Sequence, residues 1–392
     1  NTEGFCMKKY LLAFLLTAVL ATLCACGEAQ KTPTNSDEPQ GTETISPAQE
    51  SRQPQTIHMS ETLCDGLAID ADVPVQEGLA LPTYQADYFR ISAADAVSLL
   101  AGGSKVKTEE PHHYDPNGFN LVLESGAQIF HANGILTYYS ETEDRDREIA
   151  DLLSRYGETH GEEEVHTLSF MPPAEAVSKA SALICELDVI GEPALDAIIG
   201  LSGAEIMAWQ NELMTDENYS WWADIGKTNV LDDLTSEDDA YYISFYFTYQ
   251  DIPVFDQDRE PGISSASDSF LPNSMKANVL ITPKGVRYFK VENTLSTQGD
   301  ISEAHSIISV QEALKKLCEE QENTITFGTR LITEVWLEYI PIRAENAAPG
   351  VGPFILKPYW CFGTVDAESG GEHIIDADRI NAVTGDDLAY EQ

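Results

Sequence analysis

The sequence predicts an α+β fold of antiparallel sheets, each packed by a helix. Three observations predict it. Leu67, Ile69, Ala71 and Val73 alternate with polar residues, as in a half-buried strand. Asn133-Gly134, the pair best suited to a type I′ turn, separates two strand-like runs. Helix-start patterns at Ser92, Met171 and Ser309 each precede further strand patterns.

Taken in order, the chain opens with an export signal. Asn1 to Cys6 precede Met7, the expected start. Lys8 and Lys9 form a positive n-region, and Tyr10 to Leu23 an uncharged apolar run, short for a membrane span. The run ends in Leu23-Cys24-Ala25-Cys26. An apolar residue three positions before a cysteine, and a small one directly before it, resemble a bacterial lipobox. Residues 1–25 are then a lipoprotein-type signal peptide, removed on export. Cys26 becomes the new N-terminus, and its thiol takes the diacylglycerol. The body is expected on the extracytoplasmic face of the cell membrane, anchored by lipid.

Residues 26–62 read as the lipidated cysteine and a flexible linker. Pro33, Pro39, Pro47 and Pro54 punctuate a polar stretch that cannot bury enough surface to offset its ordering entropy. As a coil it would reach roughly 30–35 Å.

The body begins with the alternating strand Leu67 to Val73, ended by Pro74. Ser92-Ala-Ala-Asp95 starts a helix that Gly102-Gly103 closes. The Asn133-Gly134 hairpin follows, then a helix capped by Asp144 and carrying Ile149, Leu152, Leu153 and Tyr156. These make an N-terminal α+β unit, 63–165. The remainder reads as a diverged tandem repeat, 166–300 and 301–392. Each copy opens with a helix, at Met171-Pro-Pro-Ala-Glu and at Ser309-Val-Gln-Glu. An aromatic strand ending in Ile-Pro follows, Tyr241 to Val254 and Glu334 to Ile342, and then more strands. A helix laid across such a meander buries the sheet's inner face.

The formal charge is −42, from 65 acidic and 23 basic residues. Such a chain repels nucleic acid and anionic lipid, so nucleic-acid binding is excluded. Of seven cysteines, Cys64, Cys185, Cys318 and Cys361 lie in the body. None forms a C-x-x-C pair, and free buried thiols are expected over disulfides.

The lipobox, the spacer, the strand Leu67-Ala-Ile-Asp-Ala-Asp-Val-Pro-Val75 and the closing pattern Pro358-x-Trp360 … Ile380-Asn-Ala-x-Thr-Gly385 together resemble uncharacterised lipoproteins of Firmicutes. The C-terminal units are similar in layout to the small α+β repeats of PepSY-like exported modules. The resemblance implies an extracytoplasmic module and carries over no catalytic residue.

Candidate sites are few. His112-His113 lack the spacing of a helical zinc pair and read as a solvated loop. Asp256-Gln-Asp258-Arg-Glu260-Pro-Gly262 and Asp366-Ala-Glu368-Ser-Gly370 resemble the start of a calcium loop but lack its terminal glutamate. The run Asp232, Asp233, Glu237, Asp238, Asp239 reads as a solvated loop. No metal and no cofactor is expected. Tyr219-Ser-Trp221-Trp222 is the most distinctive cluster. Exposed, its rings would stack on sugar or anchor a protein; buried, they would be core. Gly200-Leu-Ser202-Gly203 is not a nucleophile elbow, and no phosphate-binding loop is present. The expectation is a membrane-anchored binding or regulatory module for a protein, peptide or glycan, with Trp221, Trp222 and Tyr219 as its contact residues. The alternative is an envelope hydrolase working through two carboxylates.

Overall fold

The computed structural model describes residues 55–75, 78–140, 143–160, 166–255, 274–298, 302–321, 328–344, 352–367 and 376–387. Cys26, the signal and most of the linker lie outside the described residues. So do the calcium-like run at 256–262 and most of the one that starts at Asp366.

The linker, expected to run to residue 62, stops earlier. Gln55–Cys64 is strand β1, antiparallel to β2 (Leu67–Val75) from Gln55↔Val75 to Cys64↔Leu67. Composition hides β1 because it is an edge strand: only Met59, Leu63 and Cys64 touch the core. Its order comes from backbone pairing with β2. In β2, Leu67, Ile69, Ala71 and Val73 are all buried, and Pro74 sits inside the strand opposite Thr56.

Short strands β3 (Ala80–Leu81) and β4 (Tyr84–Tyr88) lead to helix α1 (Ala93–Ala101). Ser92 caps α1 by accepting the Asp95 N–H, and Gly102 ends it in the left-handed region at φ 58°. Then come β5 (Val106–Pro111), β6 (Phe119–Leu123), β7 (Gln128–Ala132) and β8 (Ile135–Tyr139). Asn133 and Gly134 both have positive φ, as the predicted I′ turn requires.

Helices α2 (Glu143–His160) and α3 (Pro173–Cys185) precede β9 (Glu192–Leu201), α4 (Gly203–Leu213) and α5 (Glu217–Asp224). The 3-10 turn Ser236–Asp238 enters β10 (Ala240–Tyr249) and β11 (Ile252–Pro253). The single strand expected from Tyr241 to Val254 is therefore a hairpin. Gln250 and Asp251 take positive φ and turn the chain between its two arms. Next are β12 (Lys276–Thr282), β13 (Gly285–Glu292), β14 (Leu295–Thr297), β15 (His305–Ser306) and α6 (Val310–Gln321). The chain closes with β16 (Arg330–Arg343), β17 (Phe354–Asp366) and β18 (Asp376–Asn381).

The fold is α+β, with two large sheets. One has nine strands in the order β11-β10-β12-β13-β8-β7-β6-β5, with β9 on β10. The other has seven, β1-β2-β16-β17-β4-β14, with β18 on β17. Among the described strands the ladders are antiparallel except a short parallel one of β16 with β2, and an isolated parallel bridge joins Val254 to Tyr339. These sheets cut across the expected units. Strands β1, β2 and β4 join the C-terminal β16–β18, while β5–β8 join β9–β13. The 63–165 segment is thus divided between sheets, because pairings over hundreds of residues leave no local trace in the sequence. In layout, α3 precedes the antiparallel meander β10-β12-β13, and α6 precedes β16-β17-β18.

One core runs between both sheets, into which α3 sends Ala176, Val177, Ala180 and Ile184, and α6 sends Val310, Ala313, Leu314 and Leu317. The opposite face of the nine-stranded sheet carries a second cluster, where Ile149, Leu152 and Leu153 of α2 meet Ile206 and Trp209 of α4. That sheet is therefore covered by helices on both faces.

The acidic run is only partly solvated, which corrects the loop expected there. Asp238 is buried against Arg287 Nη1 at 3.2 Å and Arg145 Nη2 at 3.3 Å, and Asp239 accepts the Gly203 N–H. Burial works to raise the Asp238 carboxyl, but the Thr235 N–H and the two guanidiniums outweigh it and hold it below the usual carboxylate range. Asp232, Asp233 and Glu237 stay exposed. Cys361 is buried and Cys64 and Cys318 half-buried, whereas Cys185, expected to be buried, is exposed at the end of α3.

Candidate functional site: the aromatic face of α5

Asp216 starts α5 by accepting the N–H groups of Asn218 and Tyr219, each at 2.9 Å. Tyr219 then points inward. It is 5% exposed, and its hydroxyl donates to Glu148 Oε1 of α2 at 3.3 Å. The other oxygen of Glu148 accepts the Asn229 N–H at 3.1 Å. Gln210 of α4 clamps the following loop, donating to the Leu231 carbonyl at 2.9 Å and accepting its N–H at 2.8 Å. Tyr219 is thus a core anchor of α5, a correction to its expected role as a contact residue. Helical geometry gives the reason: Tyr219 and Trp221 lie about 200° apart around the axis, so burying one exposes the other.

Trp221 is 57% exposed and Trp222 39%. Ile225 accompanies Trp221 one turn later, with its N–H on the Trp221 carbonyl at 3.1 Å, and Ile225 and Val230 are also exposed. Four large apolar side chains are thus open to solvent within ten residues (221–230), a local concentration of exposed apolar surface of the kind that marks interaction sites. The Arg155 guanidinium of α2 lies 5.8 Å from the Trp222 ring centroid and 6.0 Å from that of Tyr219. Asp216, Glu217, Asp224, Asp232 and Asp233, in and beside the same stretch of chain, are all exposed.

Glu148 is the hinge of this support. Burial, offset in part by the Asn229 N–H and the Tyr219 hydroxyl, raises its pKa above the ordinary glutamate value. A raised folded-state pKa means that stability is fully present below the unfolded value and falls as pH rises through the folded one. Wild type should therefore lose stability relative to Glu148→Gln between acidic and neutral pH. Denaturant melts of both proteins across that range check this; a gap independent of pH would contradict it.

Elsewhere, a cleft of about 730 Å³ lies between the start of α1 and the loop before β6, lined by Arg90, Ser92, Pro111, Asn117 and Phe119 among others. Beside it His131 is wholly buried, stacked on Phe119 at 5.3 Å, with Nε2 3.3 Å from the Phe89 carbonyl. Burial lowers its pKa. His113 is exposed and His112 half-buried on the neighbouring loop, and the described residues hold no group of three metal-ligating side chains.

Trp221 and Trp222 are both exposed on α5, as the sequence allowed, about 100° apart around its axis, while Cys26 lies outside the described residues. Sequence reasoning missed Ile225, whose signal was its spacing of four from Trp221. It also missed Arg155 and Glu148, which reach the site from a helix more than 60 residues away and left no signal.

No family model matches the chain, and no curated protein matches it. Among solved structures it is similar to the crystal structure of an uncharacterized protein from Eubacterium rectale ATCC 33656. The two are 15% identical, with 86% of this chain and 93% of that one covered at a TM-score of 0.52. At that identity the likeness shows the fold alone.

Proposed function

We propose that the protein is a lipid-anchored, extracytoplasmic binding or regulatory module that recognises its ligand through the aromatic face of α5. The observation that carries the reading is the exposure of two adjacent indoles on a helix whose other face is fixed by Tyr219, Glu148 and Gln210. Large apolar rings held in water on a rigid element are the usual anchors of recognition surfaces. The lipobox at Leu23 to Cys26 and the likeness to Firmicutes lipoproteins and PepSY-like repeats support the placement at the cell membrane. A hydrolase needs two converging carboxylates. The described acids with raised values include the neighbours Glu148 and Asp151 on α2 and Glu320 on α6, and none of the three lines the cleft.

Two variants test the reading. Cys26→Ala should move the exported protein from the detergent phase to the aqueous phase of a cloud-point partition; unchanged partition would remove the lipid anchor from the account. The immobilised chain should retain envelope polypeptides or glycan strands, and Trp221→Ala should reduce that retention at least about tenfold with an unchanged melt. Retention independent of both indoles would refute recognition by α5.

A further inference from the structure

The partner class of the α5 face can be named, on the premise that this face is the recognition surface. We infer that it takes a basic amphipathic polypeptide segment, in which lysine or arginine side chains flank an apolar one. The first ground is the charge of this stretch of chain. Between residues 216 and 233 there are five acids, Asp216, Glu217, Asp224, Asp232 and Asp233, all exposed, against the single base Lys227. The field of the whole chain, at −42, has the same sign and steers cations toward it.

The second ground is the shape of the apolar part. Trp221 and Ile225 sit one helical turn apart on the same side, a stripe that fits an apolar side chain of an adjacent peptide. Trp222 is rotated about 100° from Trp221. Its ring also lies beside the Arg155 guanidinium at 5.8 Å. The two indoles therefore do not make one flat stacking platform, which is what a sugar ring would use. Arg155 closes the Trp222 side to a cation, so the basic segment lies on the Trp221 side, between Glu217 and Asp224.

The test is fluorescence anisotropy on the full chain. The labelled probes are a dodecapeptide built from Lys-Leu-Leu-Lys, its Glu-Leu-Leu-Glu counterpart, and chitotetraose. The basic peptide should bind, and Trp221→Ala should weaken it at least about tenfold without changing protein charge. Glu217→Gln with Asp224→Asn should weaken it at about 0.05 M salt and much less at about 0.3 M, where screening already does so. Equal binding of the basic peptide to wild type and Trp221→Ala would show diffuse charge attraction and overturn the inference. Trp221-dependent binding of the acidic peptide or of chitotetraose, without the basic peptide, would overturn the partner class and leave the recognition face standing. No Trp221-dependent binding of any probe would overturn both.

Discussion

Asp146→Ala is expected to cost about 3–5 kcal/mol of folding stability, the usual penalty for removing one partner of a buried ion pair. Asp146 is 0% exposed and Arg287 1%, with Asp146 Oδ1 and Arg287 Nη2 2.6 Å apart. The pair ties α2 to β13. Asp146 Oδ2 also accepts the Ser140 N–H at 2.9 Å, which fixes the chain as it leaves β8. Truncation leaves a guanidinium with reduced compensation in a place water does not reach, while the Ser140 N–H keeps the Arg287 carbonyl at 2.8 Å as its other acceptor. The contrast is Asp233, which pairs with Arg145 at 3.4 Å but has an 83% exposed side chain. Asp233→Ala should change stability by less than about 1 kcal/mol. Denaturant melts of both variants read the difference. Equal effects would mean that the network contributes through charge alone and not through burial.

Trp360→Ala should cost a similar amount, about 3–5 kcal/mol, by another route. Trp360 is among the largest fully buried side chains, on β17 opposite Ile380 of β18. Its ring N–H donates to the Ile308 carbonyl at 3.0 Å, just before α6. Truncation opens a cavity in the core that both sheets share and removes the link from β17 to the start of α6. Trp360→Phe keeps most of the volume and loses the hydrogen bond, so its smaller cost isolates that bond, about 0.5–1.5 kcal/mol. Calorimetric melts of the two variants give both figures. A Trp360→Phe loss as large as that of Trp360→Ala would contradict a cavity origin.

The closing pattern around Trp360 shows what the sequence could and could not disclose. Pro358, Trp360, Ile380 and Gly385 read as a motif, and the structure makes it structural. The Pro358 carbonyl accepts the Ala382 N–H, Asn381 Oδ1 accepts the Val383 and Thr384 N–H groups, and Gly385 turns the chain at φ 78°. Features set by neighbours in sequence were legible: the alternation of β2, the I′ turn at Asn133-Gly134, and the Ser92 cap. Features set by distant partners were not. Strand β1 looked like linker because its order comes from β2. Asp238 looked solvated because the guanidinium that buries it lies 49 positions on, in β13. At the site, the aromatic cluster was legible as chemistry. Which ring would face inward depended on Glu148, a residue of α2, and so was not.

The central claim is that the indoles of α5 are the contact surface. The chain has five tryptophans, of which Trp209, Trp336 and Trp360 are buried. Acrylamide quenching of the intact chain therefore reports on Trp221 and Trp222. The account predicts a readily quenched fraction that disappears in Trp221→Ala/Trp222→Ala and is shielded when the Lys-Leu-Leu-Lys peptide saturates the wild type. Saturating peptide that leaves that fraction fully open to acrylamide would contradict it.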